Sequence, residues 1–168
     1  MVQGAAMATV THKQIYTEVR AYLLGLFLCP PESVIQGYQN DAPLPDQAIV
    51  MSILFEQALD VSAHYYEPAD NQTFVQQSVE ITMQIDFYGA DSGDKSRKLC
   101  NLWKSHYSTA RLISCQPFYC KDPVQMTFIN EQSRYEQRWM VELLLQYNPE
   151  FSHEQTYLDM PVITLKNL

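Results

Sequence analysis

The chain has 168 residues, 46% of them apolar and 11 of them tyrosine, which suits one domain burying roughly 70% of its unfolded surface without metal or disulfide staples and argues for a real core rather than disorder. The formal charge of −8, with a pI near 4.8, is spread over the chain with no block of five like charges, and such a balance disfavours gripping phosphate backbones. No apolar stretch reaches the ~18–20 residues of a membrane span; residues 21–29 are the longest candidate.

Residues 1–10 lack a basic region followed by a long apolar one, so they read as a flexible leader before a single domain over 11–168, unless Met7 is a second start. Thr11-His-Lys-Gln14 is a capping-box pattern. Ile15, Val19, Tyr22, Leu23 and Leu26 follow at helical spacing, and Pro30-Pro31 should stop this first helix near Cys29. Residues 34–37 read as a short strand, and 38–46, with Asn40, Pro43 and Pro45, as an ordered loop. Over 48–57, Ile49, Met51, Ile53 and Phe55 alternate with Val50, Ser52, Leu54 and Glu56, which predicts a strand buried on at least one face.

A polar connection containing Glu67 to Gln72 leads into the clearest element. Val79, Ile81, Met83, Ile85 and Phe87 alternate without a break against Glu80, Thr82, Gln84, Asp86 and Tyr88. The two long strands should form an antiparallel hairpin whose tip stands out from the body. Gly89 ends the second strand, and Asp91-Ser-Gly-Asp94 offers turn and N-cap chemistry. Leu99, Leu102, Trp103, His106, Tyr107 and Ala110 then mark one side of an amphipathic helix. Residues 124–129 and 138–148 are further strands, the second stopped by Pro149, and 162–165 is a possible short one. The predicted fold class is α+β: two main helices packed on one face of an antiparallel or mixed sheet with a long hairpin.

Groups for chemistry are scarce. His12, His64, His106 and His153 lack the spacing that gathers metal ligands, and His106 reads as a hydrogen-bonded residue of the helix's apolar face. Cys29, Cys100, Cys115 and Cys120 are irregularly spaced and read as free thiols; Cys115 and Cys120 could meet in a turn, and Cys100 reads as packing. Glu80, Asp86 and Glu142 could form a carboxylate pair across neighbouring strands, weighed against a solvated polar face. No phosphate-cradling glycine motif or nucleophile elbow is present. The amphipathic aromatics Tyr65, Tyr66, Tyr88, Tyr135, Trp139 and Tyr147 suit protein contacts or core filling equally. These features predict a non-enzyme with no cofactor and no metal, working through assembly.

Three segments carry a family resemblance: Val34-Ile-Gln-Gly37 followed by Asn40, Pro43 and Pro45; Gln84-Ile-Asp-Phe-Tyr-Gly89 followed by a helix; and Tyr135 through Tyr147-Asn148. In this order, over roughly residues 12–165, the chain resembles the neck or tail terminator proteins of long-tailed bacteriophages and prophages. The resemblance implies a virion protein that forms a ring, typically a hexamer, capping the tail tube and joining it to the head connector. Its partners would be itself, tail-tube and connector proteins. DNA would pass without specific binding, and an acidic lumen would keep it from adhering. The implied location is the virion neck, and the bacterial host cytoplasm during assembly, with no membrane. The hairpin tip, with His64, Tyr65, Tyr66, Glu67, Asp70 and Asn71, is the expected interface. A head-completion adaptor of the same particle and a small metal-dependent hydrolase using the strand carboxylates are the alternatives.

Overall fold

The computed structural model describes residues 9–37, 44–129 and 135–154. Helix α1 (His12–Phe27) starts as its sequence predicts. The Thr11 side chain accepts from the Gln14 amide, the Gln14 side chain accepts from the Thr11 amide, and Leu28 closes the helix in a left-handed conformation with φ 49°. After one 3₁₀ turn at Pro31–Ser33 come β1 (Val34–Gln36), β2 (Ile49–Ala58), β3 (Ala63–Glu67), β4 (Gln72–Gln76) and β5 (Val79–Tyr88). Then follow α2 (Ser92–Trp103), α3 (His106–Thr109), β6 (Gln116–Cys120), β7 (Val124–Ile129), β8 (Tyr135–Tyr147) and β9 (Glu150–Glu154). The architecture is α+β. One mixed sheet runs β1-β2-β5-β8-β6, with β7 also paired to β8, and a second sheet runs β3-β4-β9. Among the described residues, β1 with β2 is the one parallel pair.

The predicted antiparallel pairing of the two long strands is present as β2 with β5. The polar connection between them is itself structured, as the β3–β4 hairpin, and β9 adds a third strand to it. The pairing of β5 with β8 and of β4 with β9 shares one register: Val79 opposes Tyr147, and Gln76, past a two-residue joint, opposes Glu150. Gln72 to Tyr88 thus faces Arg138 to Glu154 as a single ribbon; β8 ends before Pro149 as expected, and the register continues past that joint into β9. The expected strand at 162–165 and the loop residues 38–43 lie outside the described residues.

Both main helices cover the face bearing Ile81, Met83, Ile85 and Phe87, all fully buried. Phe27 meets Phe87 edge-on at 5.5 Å, Tyr22 meets Trp103 at 5.6 Å, and the Trp103 indole donates to the Leu144 carbonyl. Each such side chain contributes about 1.5–3 kcal/mol on burial.

Three local expectations are corrected. Asp91 sits at the N-cap of α2, but its carboxylate makes no capping bond; the turn is closed by backbone, with Gly89 at φ 98°. The second helix is also broken. Ser105 donates its hydroxyl to the Leu102 carbonyl and accepts from the Tyr107 amide, so it ends one helix and caps the next. His106 is therefore exposed rather than on the apolar face, while Ser108, bonded to Leu102 and Tyr22, takes the buried place. Finally, Cys100 and Cys120 are joined by a disulfide linking α2 to β6, with Cα atoms 5.6 Å apart; Cys29 and Cys115 are the free thiols.

A bulge decides what β2 presents. Ile53 opposes Met83, but Phe55 opposes Thr82, so Leu54 is the extra residue. The predicted alternation ends there. Phe55 turns to the helix-free face, where it is 52% exposed, and Glu56 turns to the helix side. There Glu56 accepts from the Tyr147 hydroxyl at 2.9 Å and pairs with His12. Because Leu54 is the surplus residue, deleting it keeps Phe55 opposite Thr82 and Glu56 opposite Ile81, so the urea unfolding midpoint should shift by no more than about 1–2 kcal/mol of stability, whereas Glu56→Ala, which takes the acceptor from the Tyr147 hydroxyl, should cost about 1–3 kcal/mol.

Candidate assembly surfaces

The ribbon carries the register of the core into an arm formed by β3, β4 and β9. Opposed residues share a face, so Tyr65, Phe74 and Ser152 line one side, and His64, Val75 and Phe151 the other. The rings of Tyr65 and Phe74 stack 5.1 Å apart, nearly parallel. The Tyr65 hydroxyl donates to Glu150 at 2.7 Å, and that bond, followed by desolvation and nearby negative charge, raises the phenol's pKa. At the tip, Asn71 adopts φ 52° and accepts from the Tyr66 hydroxyl, while Glu67 accepts from the Ala69 amide. Thr73 is the one buried residue of the arm among those described.

The six residues expected at an interface are thus all on β3 or the turn after it. The strand divides them: His64 and Tyr66 face one way, Tyr65 and Glu67 the other. Sequence reasoning missed β9, including Phe151, 65% exposed. Its signal was the common register, which a reading that stopped at Pro149 does not reach.

The helix-free face of the main sheet forms a second surface. Phe55, Thr82, Leu144 and Tyr119 are opposed in one row across β2, β5, β8 and β6, a bulge at Phe118 bringing Tyr119 into line as Leu54 does for Phe55. The carboxylates beside this row are not a solvated polar face, for Glu80 and Asp86 are buried on the central strand. Nor do they converge. Glu80 accepts from Gln57 at 2.7 Å; Asp86 accepts from Gln84 at 2.6 Å and Arg138 at 3.0 Å; Glu142 pairs with Lys121. Among the described residues, no three His, Cys, Asp or Glu side chains converge as metal ligands. Asp86 and Glu142 have counter-ions within the face and Glu80 an amide donor, so the face can be covered by protein without leaving any of the three unpartnered.

The α2–α3 side forms a third surface. Glu18 of α1 accepts from the Ile113 amide at 2.9 Å and from both the amide and hydroxyl of Ser114. Burial pushes its carboxyl up, but the Ser114 and Ile113 hydrogen bonds outweigh burial and hold it below the ordinary value. Below this turn the Cys115 thiol is buried and pushed up to about 12, by desolvation first and the Glu18 charge second.

The sequence over residues 13–167 matches the family described as phage neck terminator protein. This chain belongs to that family. Its function is accordingly structural, terminating the tail of a phage-like particle, and it is a virion component. The neck terminator is similar to a PVC sheath/tube terminator of an extracellular contractile injection system in the extended state, with TM-score 0.46 and 9% identity, covering 96% of this chain and 66% of that one. It is also similar to a chain in the virion of a native gene transfer agent particle, with TM-score 0.40 and 12% identity, covering 82% of this chain and 92% of that one. No curated protein matches the sequence. No described helix is long and apolar enough to cross a membrane.

The Glu18 contacts give a signed pH dependence. A folded-state pKa below the unfolded one adds stability above the unfolded value and loses it as pH falls through the folded value. Glu18→Gln should therefore lower Tm at neutral pH, and its gap from the native protein should close below pH 4.5, the group's ordinary value. Thermal unfolding followed from pH 7 down to about pH 3 checks this; a gap constant with pH would contradict it.

Proposed function

We propose that copies of this neck terminator close into a ring, six in number as the family resemblance implies, which caps the finished tail tube and joins it to the head connector. The chain acts through shape and makes or breaks no bond. The arm carries this reading: three short strands, exposed aromatics on both faces and almost no core of their own form a poor independent unit and a good contact surface. The tip residues His64, Tyr65, Tyr66, Glu67, Asp70 and Asn71 contact a neighbouring subunit or the tube. Residues 11–168 act as one domain, and of the expected leader Thr9 and Val10 are tied to it, the Thr9 hydroxyl donating to the Glu150 carbonyl and Val10 packing against the core. Assembly takes place in the bacterial host cytoplasm, and DNA passes through the ring without specific binding.

Replacing residues 68–71 with Asn-Gly preserves the pairing of Glu67 with Gln72, because two-residue turns of that type match strand twist. The variant should unfold within about 1 kcal/mol of the native chain, yet particles made with it should show unjoined heads and tails of irregular length by electron microscopy. A normal yield of infectious particles would remove the arm from the mechanism.

A further inference from the structure

The negative charge, although free of like-charge runs, is not evenly spread. Between positions 95 and 121 the chain has six Lys or Arg and no Asp or Glu; all 19 acids and the other five bases lie elsewhere. Lys95, Arg97 and Lys98 lie on α2, Lys104 caps its end and Arg111 follows α3, while Lys121 pairs with Glu142 on the helix-free face. Arg97 and Lys121 are paired with Asp122 and Glu142. Lys98, Lys104 and Arg111 are exposed, and among the described residues none of them forms a salt bridge. Lys98 donates to the Leu26 carbonyl at the end of α1; Lys104 lies 3.9 Å from the Tyr119 ring and Arg111 3.6 Å from the Tyr107 ring. Their heads are thus held in place while their charge stays unanswered. Exposed apolar residues accompany them: Leu28, at 89%, and Ile113, at 87%, along with Phe118.

The arm is the electrostatic opposite. Residues 59–78 and 148–154 contain Asp60, Glu67, Asp70, Glu150 and Glu154 and neither Lys nor Arg. Here too the charges surround exposed apolar groups, Tyr65 and Phe151. Each surface thus combines apolar anchors with a charged rim, and the two rims have opposite sign.

We propose that the acidic arm of one copy docks on the basic α2–α3 face of the next. This specifies the contact in the ring reading and rests on it. Two different patches on one chain make a heterologous contact, the kind that propagates around a ring. A nucleic acid is the weaker occupant for the basic face, since Arg97 is already neutralised by Asp122 and the rest of the chain repels phosphate.

The test is sedimentation velocity on the full chain at about 0.01 M and about 1 M salt, across which the Debye length falls from ~30 to ~3 Å. Two triple variants are compared: Lys98→Glu with Lys104→Glu and Arg111→Glu, and Glu67→Lys with Asp70→Lys and Glu154→Lys. Circular dichroism first establishes that both remain folded. The native chain should self-associate at low salt and dissociate at high salt. Each variant alone should associate roughly tenfold or more weakly, and an equimolar mixture should recover association, because each arm then meets a face of opposite sign. A native chain that stays monomeric at low salt, variants that associate normally, or a mixture that fails to recover would overturn the proposal. So would loss of duplex DNA retention in the helix-face variant with self-association unchanged. These outcomes leave the terminator reading standing; that reading fails separately, if particles made without the chain have normal, joined tails.

Discussion

The pairing of β5 with β8 is the constraint on which the rest of the neck terminator depends. On one face it supplies Ile81, Met83, Ile85, Val141, Leu143 and Leu145, the floor on which both main helices rest. Past Val79 and Tyr147 the same register runs on into β4 and β9. A slip of one residue would turn the core residues outward and misalign the arm together with them. The arm is therefore aimed by the core, although little packing joins the two: its main contacts are among its own three strands.

Legibility in the sequence follows how local each signal is. The capping box at Thr11 and Gln14 and the alternation from Val79 to Phe87 are encoded by neighbours along the chain, and they appear where expected. Phe55 did not follow its alternation, because a bulge depends on which partner residue faces it across the sheet. His106 fell on an apolar helical face until Ser105 offered the backbone an alternative partner. The disulfide between Cys100 and Cys120 needs β6 to come back beside α2, a tertiary fact that spacing does not contain. The tip residues on β3 were legible as exposed and aromatic. Their division between two faces, and the third strand behind them, required the pairing.

Burial changes what the strand carboxylates can do. On an alternating strand Glu80 and Asp86 look available to solvent, but on the central strand between β2 and β8 both are buried. A buried carboxylate is stable only with partners, and Gln57 and Arg138 take that role on opposite flanks of β5. The bonds that make the carboxylates tolerable there also hold them apart, with Glu80 opposite Gln146 and Asp86 opposite Met140. Two groups fixed in separate rows by separate partners suit a stable sheet face better than a shared proton or ion.

The arm's weakness bears directly on how it can bind. Three strands of five residues with Thr73 alone buried gain little from the hydrophobic effect. What order they have comes from the ribbon, the Tyr65–Phe74 stack and the Tyr65–Glu150 bond, and such segments occupy the low end of local stability. A contact that covers Tyr65 or Phe151 adds the apolar burial that the isolated arm lacks, at roughly 25 cal/mol per Å². Charge contributes differently, since exposed rim charges govern encounter rate and partner choice more than final affinity. In the proposed docking, an arm with acidic rims and uncovered aromatics would separate the two tasks: the carboxylates would select and steer, and the rings would hold once water is excluded. A subunit built this way can remain dispersed while its neighbours are scarce and still lock when they are brought together.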